Sequence, residues 1–239
     1  MDIGALSHIG NVRRGNEDAV AVDAERGLFV VADGMGGHTG GAMASSLACE
    51  VIPRALDAGK TLAEAIMEAH EAVLNHPVSL ACPIDKAPGT TVVVARIQPT
   101  GQAEVAWMGD SRIYLWRKRD GREQLLQVSK DHSLVQHLID KGEITEDEAK
   151  VHPYRNIIVQ VLGMRGEEHL SPDVRPVTLI PGDRLLLCTD GLNGEIDDRL
   201  IGDLVGNTLQ TAQEVCEELV AAALAAGGHD NVSVVVLGM

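Results

Sequence analysis

The segment from Thr90 to Trp116 limits the fold of this chain more than any other part of the sequence. Three apolar runs, each predicted to be a strand, follow one another with short turns between them: Thr90–Ile97, Ala103–Met108 and Ile113–Trp116. Strands joined by connections this short pair antiparallel, because a parallel pair needs a crossover of roughly a dozen residues or more. The segment therefore predicts that these strands pair antiparallel.

Helices and further strands are predicted on both sides of this segment. A helix of small apolar residues is predicted to begin at Gly40-Gly41 and to stop at Pro53, since proline breaks a helix interior. Capping boxes at Thr61–Glu64 and Thr211–Glu214 predict the starts of two more helices. The remaining predicted strands are two or three within residues 1–38 and the runs Val174–Leu179, Arg184–Thr189 and Val232–Leu237. No repeat or linker interrupts the chain, so residues 1–239 are predicted to form a single domain.

The composition bounds what this domain can do. Of 239 residues 45% are hydrophobic, but one Phe, two Tyr and two Trp are the only aromatic ones, so the core must be aliphatic. The net charge of −15 argues against a nucleic-acid binder or a protein of anionic membrane surfaces. The four cysteines lie far apart without metal-ligand spacing, which disfavours structural zinc and disulfides. No signal-like segment and no apolar run near the ~20 residues of a membrane span occurs, so a cytoplasmic protein is predicted.

Residues 129–165 break the alternation of strands and helices. Leu134, Val135, Leu138 and Ile139 predict a short helix ended by Gly142, and Thr145 with Glu148 predicts the cap of another. The rest of the segment is polar and irregular around His152-Pro153. We interpret this excursion as a lid or recognition flap, with a merely long connection as the alternative.

Four aspartates share one sequence context, at the beginning or end of a predicted apolar strand: Asp33, Asp110, Asp190 and Asp230. Any one of them alone is most simply a turn residue or a helix cap. Four with the same placement can converge at one end of a sheet protein, where their repulsion requires protons or a cation. Oxygen ligands with little His or Cys favour Mg²⁺ or Mn²⁺. Two such ions ~3.5–4 Å apart can deprotonate a bridging water and hold a phosphoryl group during in-line attack.

Two further side chains fit phosphate chemistry. The guanidinium fork of Arg13 matches phosphate oxygens, although an isolated arginine is more often in a surface ion pair. His38, close after Asp33, can protonate a leaving alkoxide, although a lone histidine is more often structural. The glycines of Gly34–Gly37 can form an anion-binding nest. Neither a phosphate-binding P-loop motif nor a serine-hydrolase elbow is present.

An ordered set of motifs resembles the metal-dependent protein phosphatases of the PPM family, type 2C, in their compact bacterial form. The motifs are Arg13-x-x-Asn16-Glu17-Asp18, Asp33-Gly34-Met35-Gly36-Gly37-His38, Gly89-Thr90-Thr91, Gly109-Asp110-Ser111-Arg112, Asp190-Gly191-Leu192 and Gly228-His229-Asp230-Asn231. The match runs from about Ile3 to the C-terminus. It implies an α+β fold, a four-layer αββα sandwich of two antiparallel sheets flanked by helices. It also implies two Mn²⁺ or Mg²⁺ ions and hydrolysis of phosphoserine and phosphothreonine in proteins.

The resemblance also implies a role for each matching position. Asp33 would bridge both metals, the carbonyl of Gly34 would hold the first, and Asp190 and Asp230 would hold the second. Asp110 matches a ligand of a third, weaker metal, shared with Asp190. Glu17 and Asp18 would act through metal-bound waters, Arg13 would hold the phosphate and His38 would be the general acid. The segment 129–165 matches the variable flap that the family links to substrate choice.

One departure from the family pattern lies after Leu192, where Asn193-Gly194 stands in place of a residue pair that often ends in aspartate. A missing outer carboxylate would change metal affinity rather than the reaction class. Two alternatives stay open: a non-catalytic relative that binds a phosphorylated partner, and a two-metal phosphoesterase of small molecules or nucleotides. The predicted partners are phosphorylated proteins and an opposing Ser/Thr kinase, with no nucleic acid, no membrane and a monomeric state.

Overall fold

The computed structural model describes residues 1–37, 39–83, 86–166 and 170–239. In these ranges the strands are β1 (Asp2–His8), β2 (Asp18–Asp23), β3 (Leu28–Met35), β4 (Gly89–Thr90), β5 (Val92–Ile97), β6 (Gln102–Met108), β7 (Arg112–Arg119), β8 (Arg122–Gln127), β9 (Asp173–Thr178), β10 (Arg184–Cys188) and β11 (Val232–Gly238). The helices are α1 (Thr39–Asp57), α2 (Leu62–Leu74), α3 (Pro77–Ala81), α4 (Leu134–Asp140), α5 (Glu146–Lys150), α6 (Asp190–Asn193), α7 (Asp198–Val205) and α8 (Ala212–Ala226).

The strands form two sheets in which the neighbouring strands pair antiparallel. One sheet has the order β1-β11-β10-β7-β8 and the other the order β2-β3-β5-β6-β9, with β4 paired to β3. Strands β5 and β6 pair antiparallel, as their short turn predicted. The prediction was wrong for β6 and β7, because the connection between them passes from one sheet to the other and β7 pairs with β8 and β10 instead. Both sheets therefore contribute chain to the loop that carries Asp110.

The sheets and helices stack in four layers around three apolar clusters. Alternate residues of β3 separate two of them: Phe29 and Val31 lie between the sheets, whereas Val30 and Ala32 pack under α1 and α2. The third cluster joins the other face of the five-stranded sheet to α7 and α8. Because both faces of the central strands are covered, their sequences are apolar at consecutive positions. The predicted αββα sandwich with an aliphatic core is confirmed.

Several local predictions were wrong, each for a tertiary reason. Helix α1 does not stop at Pro53 but continues to Asp57, and the buried Ala55 and Leu56 beyond the proline pack in the core under the sheet. Strand β8 was not predicted because it is mostly exposed and has little apolar alternation. A two-residue turn with positive φ at Asp120 and Gly121 places it beside β7.

Strand β3 is longer than predicted, and its extension matters for the site. It runs past Ala32 to Met35, since Asp33 pairs with Asp18 of β2 and Gly34 pairs with Thr90 of β4. Asp33 is therefore held in a strand end with partners on both sides rather than in a free turn.

No helix in the part of the chain that the structure describes is both long enough and apolar enough to cross a bilayer. The four cysteines are free, and Cys188 is buried in the five-stranded sheet.

The core between the sheets gives a first test of stability. Trp107 is 1% exposed, and its indole N–H donates to the carbonyl of Lys130 at 2.8 Å. Trp107→Ala is expected to lower the free energy of unfolding by about 3–5 kcal/mol, because it leaves a cavity in a closely packed layer. Urea unfolding of this variant beside Val22→Ala, a half-exposed position of β2, measures the difference. A loss below about 1 kcal/mol would contradict the packing described.

Candidate active site

The predicted site residues meet in one cavity of about 430 Å³ at an end of the sandwich. Both sheets contribute side chains, since Asp33 lies near the end of β3, Asp190 follows β10 and Asp230 precedes β11. Seven predicted residues line the cavity: Arg13, Glu17, Asp33, Gly34, Asp110, Asp190 and Asp230. Asp18 lies next to them, near enough for Asp190 and Asp230 to act on its charge. His38 lies outside the described residues, and its role stays a prediction.

The main chain of Asp33 is fixed by two threonines of the Gly89-Thr90-Thr91 motif. The amide of Asp33 donates to Thr91 Oγ1 at 3.2 Å, while its carbonyl accepts from the Thr91 amide and from the Thr90 hydroxyl, both at 2.9 Å. Thr91 in turn shares a 2.6 Å hydrogen bond with Ser111, the residue after Asp110. This network connects the end of β3, which carries Asp33, to the loop that carries Asp110.

Two glycines allow three segments to approach closely beside Asp33. A Cβ at Gly34 would clash with the carbonyl of Gly41, and a Cβ at Gly41 would occupy the space of the Glu17 carboxylate. The amide of Gly34 also donates to the carbonyl of Glu17 at 3.1 Å. The missing side chains therefore leave the Glu17 carboxylate against the first turn of α1, at the edge of the cavity.

Only one of the two carboxylate oxygens of Asp18 accepts hydrogen bonds from the described residues. Its Oδ2 accepts hydrogen bonds from Thr189 at 3.0 Å and from Ser233 at 2.7 Å. Its Oδ1 is buried and, among the described residues, has no hydrogen-bond donor, and the same holds for Oδ1 of Asp110. A buried carboxylate oxygen without a donor is costly unless it binds a proton or a cation.

The carboxyl groups of the cluster have raised pKa values. Burial, together with the charges of Asp190 and Asp230, raises the pKa of Asp18 to about 7, even though Ser233 and Thr189 oppose the shift. Burial and the charge of Asp190 raise the pKa of Asp110 to about 8. Burial first, and then the charges of neighbouring carboxylates, also raise the pKa values of Asp33 and Asp190. Without cations, protons must offset part of this negative charge.

The donor set fits hard divalent cations. It consists of carboxylate oxygens and a main-chain carbonyl, the ligands that Mg²⁺ and Mn²⁺ accept, and two of the oxygens have no other partner. In the conformation described, no three His, Cys, Asp or Glu side chains among the described residues form a closed set around one position. Rotation of the carboxylates is therefore needed to complete a coordination shell. Asp230 must also exchange its partner, because it now binds Arg13.

Arg13 forms a 2.6 Å ion pair with Asp230. The Arg13 side chain is 54% exposed and that of Asp230 is 36% exposed. This hydrogen bond, with the nearby charges, raises the pKa of the Arg13 guanidinium, which stays fully charged. Asn231 holds the loop that carries Arg13: its side chain accepts from the Glu17 amide and donates to the carbonyls of Ile9 and Gly15. The loop is therefore fixed to the residue that directly precedes β11.

At Asn193-Gly194 the sequence departs from the family pattern, but the structure has another carboxylate close to this pair. Asn193 contacts Cys188 through its Oδ1 at 3.9 Å. Glu195, two residues beyond Asn193, accepts hydrogen bonds of 2.8 Å from the amide and from the ring of His229. A carboxylate therefore supports the residue before Asp230, although it stands at a different sequence position from the one the pattern led us to expect.

Several residues of the site were not singled out individually from the sequence. Thr189 and Ser233 hold Asp18, and Met35 and Ile158 line the cavity. Thr189 and Ser233 lie within strand or strand-end patterns, where a hydroxyl is common and carries no signal. The amide of Thr189 donates to the carbonyl of Ser233 at 3.0 Å, which holds the two residues side by side, and Asp18 of β2 approaches them from the other sheet.

The raised pKa values predict how the metal-free protein responds to pH. A carboxyl group with a folded pKa above its unfolded value stabilises the fold below the unfolded pKa, and this stability is lost as pH rises through the folded pKa. For Asp18 and Asp110 the loss extends from about pH 4 to about pH 8. We expect the free energy of unfolding in chelator to fall by on the order of 1 kcal/mol per pH unit between pH 5 and 8.

Denaturant titrations of the wild type, Asp18→Asn and the exposed control Asp203→Asn measure this dependence. The slope should be shallower in Asp18→Asn and unchanged in Asp203→Asn. A metal-free protein that becomes more stable over this range would contradict the shared burial of the carboxylates.

The four-layer sandwich with an acidic cavity at its end defines the class of the metal-dependent protein phosphatases. The chain belongs to the protein phosphatase 2C family, whose model matches residues 7–227. It is similar to the protein phosphatase PhpP of Streptococcus pneumoniae, with 37% identity over all of this chain and 98% of that protein.

Solved structures lead to the same family. The serine/threonine phosphatase PstP/Ppp of Mycobacterium tuberculosis superposes with a TM-score of 0.84 and 34% identity over 99% of this chain and 98% of that one. A structure of the PstP catalytic domain in complex with two manganese ions gives a TM-score of 0.80 and 32% identity over 98% and 96% of the two chains. The family and the enzyme class predicted from the motifs are confirmed.

Proposed function

We propose that this phosphatase hydrolyses phosphoserine and phosphothreonine in proteins at a centre of two Mn²⁺ or Mg²⁺ ions. The observation that carries the proposal is the convergence of Asp33, Asp110, Asp190 and Asp230 beside Arg13 in one cavity. Support comes from relatives named serine/threonine phosphatases and from the manganese-bound PstP structure.

Each acidic residue has a proposed place. Asp33 lies at the centre of the cluster, where the charges of Asp18, Asp190, Asp110 and Asp230 all act on it, as a bridging ligand requires. The carbonyl of Gly34 would bind the first ion, and Asp190 and Asp230 would bind the second. Asp110 would hold a third, weaker ion. Glu17 and Asp18 would bind through water. The ions would supply a water of lowered pKa as nucleophile and would neutralise the phosphoryl oxygens.

The chain's own groups bind and orient the phosphate. Arg13 exchanges Asp230 for phosphate oxygens, since its guanidinium lies at the edge of the cavity and offers a fork of N–H donors. Release from Arg13 leaves the Asp230 carboxylate free to bind a cation. On the sequence pattern, His38 is the proposed general acid that protonates the serine or threonine alkoxide as it leaves.

The segment 129–165 is the proposed flap of a single-domain protein. It contains α4 and α5, and Ile158 brings it to the lining of the cavity. A substrate entering the cavity would therefore contact this segment beside the phosphate. The opposing kinase, the monomeric state and the cytoplasmic location stay predictions.

The proposal is tested by phosphate release from a phosphothreonine peptide with Mn²⁺ and with chelator, beside ATP and a phosphotyrosine peptide at equal concentrations. We expect turnover that depends on Mn²⁺ and favours the phosphothreonine peptide. Faster turnover of ATP would instead support a nucleotide phosphoesterase. Saturable peptide binding without phosphate release would support a non-catalytic binding protein.

A further inference from the structure

We propose that His132 is a positioning residue for Asp110, and that it couples the root of the segment 129–165 to the metal centre. This inference rests on the proposed function, because it takes the Asp110 carboxylate to be a metal ligand. His132 lies outside the cavity lining, so it would act through Gly109, the residue before Asp110.

His132 holds both main-chain polar groups of Gly109. Its Nδ1 accepts a hydrogen bond from the Gly109 amide at 3.2 Å, and its own amide donates to the Gly109 carbonyl at 2.9 Å. Two bonds from one residue fix both the position and the orientation of the peptide groups on either side of Gly109. The direction in which the chain enters Asp110 is therefore set by His132.

Gly109 itself has a conformation that needs such support. Its φ of +115° is rarely adopted by residues with a side chain, and a Cβ here would lie 2.6 Å from Cβ of Thr91. The carboxylate of Asp110 makes no hydrogen bond with another side chain of the described residues, and its Oδ1 is buried without a donor. The backbone of the Gly109 loop, rather than a side-chain contact, therefore determines where this carboxylate lies.

The same residues fasten the root of the segment 129–165. The carbonyl of His132 accepts from the amide of Val159, near the far end of the segment. On one side, Asp131 forms a two-pronged ion pair with Arg112, with bonds of 3.0 and 2.8 Å. On the other, Ser133 caps α4 by accepting from the amide of Gln136. Asp131 and His132 thus tie the segment to the turn between β6 and β7 and to the first residue of β7, while Ser133 begins α4 directly after them.

The hydrogen bonds define the tautomer of His132. Because Nδ1 accepts from an amide, the ring proton of the neutral imidazole belongs on Nε2, which lies 3.4 Å from the Asp173 carboxylate. The two ring nitrogens therefore have separable tasks: Nδ1 holds Gly109, and Nε2 points at Asp173. Asparagine retains an acceptor near the Nδ1 position, whereas glutamine retains a donor near the Nε2 position.

The test compares His132→Asn, His132→Gln and His132→Ala with the wild type. Free Mn²⁺ is measured by electron paramagnetic resonance during titration, and phosphate release from a phosphothreonine peptide is measured as a function of Mn²⁺ concentration. We expect the Ala and Gln variants to lose the weakest Mn²⁺ binding step or to weaken it about tenfold or more, as for other residues that orient metal ligands. The Asn variant should bind close to the wild type. Hydrogen exchange at the Gly109 amide should be faster in Ala and Gln than in Asn.

A merely structural role gives a different pattern. It would lower the melting temperature and the active fraction in all variants without changing the Mn²⁺ concentration for half-maximal activity. Equal Mn²⁺ isotherms for wild type and His132→Ala, or a Gln variant that rescues binding better than Asn, would overturn the inference. Asp190→Asn is included in parallel: if it retains Mn²⁺-dependent turnover, the proposed metal function fails rather than the role of His132.

Discussion

Replacement of Asp190 by asparagine is expected to lower Mn²⁺-dependent phosphate release by roughly 10³-fold or more, because removing a metal charge clamp costs several kcal/mol of transition-state stabilisation. Asp190 lines the cavity together with Asp33, and burial and the charge of Asp230 raise its pKa. Asparagine has a similar shape but no charge, so the fold should persist while the cation site is weakened. Steady-state phosphate release from a phosphothreonine peptide measures the loss.

Thermal melting separates loss of metal from loss of fold in the same variant. Mn²⁺ at about 100 times its dissociation constant should stabilise the wild type by about 2.7 kcal/mol, or roughly 5–10 °C in melting temperature for a chain of this size. The shift should disappear in Asp190→Asn but remain in Asp203→Asn, an exposed aspartate of α7. An Asp190→Asn protein with wild-type turnover and a full Mn²⁺ shift would refute the metal assignment.

Removal of the Arg13 guanidinium is expected to reduce kcat/KM for a phosphothreonine peptide by roughly 10²-fold or more, because two charged hydrogen bonds to phosphate are worth about 1.5–3 kcal/mol each. The loss should be large in Arg13→Ala and only partly restored in Arg13→Lys, since an ammonium lacks the fork of donors. Inhibition by inorganic phosphate should weaken in parallel, because phosphate would use the same group.

The ion pair with Asp230 makes a second outcome specific to this structure. Arg13 forms an ion pair with Asp230, whose carboxylate is proposed to bind metal. Arg13→Ala should therefore not raise the Mn²⁺ concentration needed for half-maximal activity. A distant exposed arginine of β8, Arg122→Ala, serves as the control and should change neither quantity. If Arg13→Ala weakens Mn²⁺ binding while phosphate inhibition is unchanged, Arg13 supports the metal site rather than the phosphate.

The parts of the fold that depend on neighbouring residues could be predicted from the sequence. The capping boxes at Thr61, Thr145 and Thr211 lie where they were expected, because cap and helix are within three residues of each other. The antiparallel pairing of β5 with β6 followed from turn length alone, whereas the passage of the chain to the other sheet after β6 did not. The end of α1 could not be predicted in this way, since the burial of Ala55 and Leu56 after Pro53 depends on a sheet formed elsewhere in the chain.

Some features of the candidate site could likewise be predicted from the sequence, and others depend on the tertiary structure. The sequence by itself determined which residues are available: aspartates at strand ends, glycines that leave space, and an arginine beside an acidic motif. The tertiary structure alone decided that the Asp18 carboxylate is held by Thr189 and Ser233, that Arg13 pairs with Asp230, and that His132 holds Gly109. These contacts join residues up to 217 positions apart, and strand register and close backbone approach bring them together. Local sequence patterns contain neither the strand register nor the close backbone approach. Both depend on how distant strands pair and on how the two sheets pack against each other.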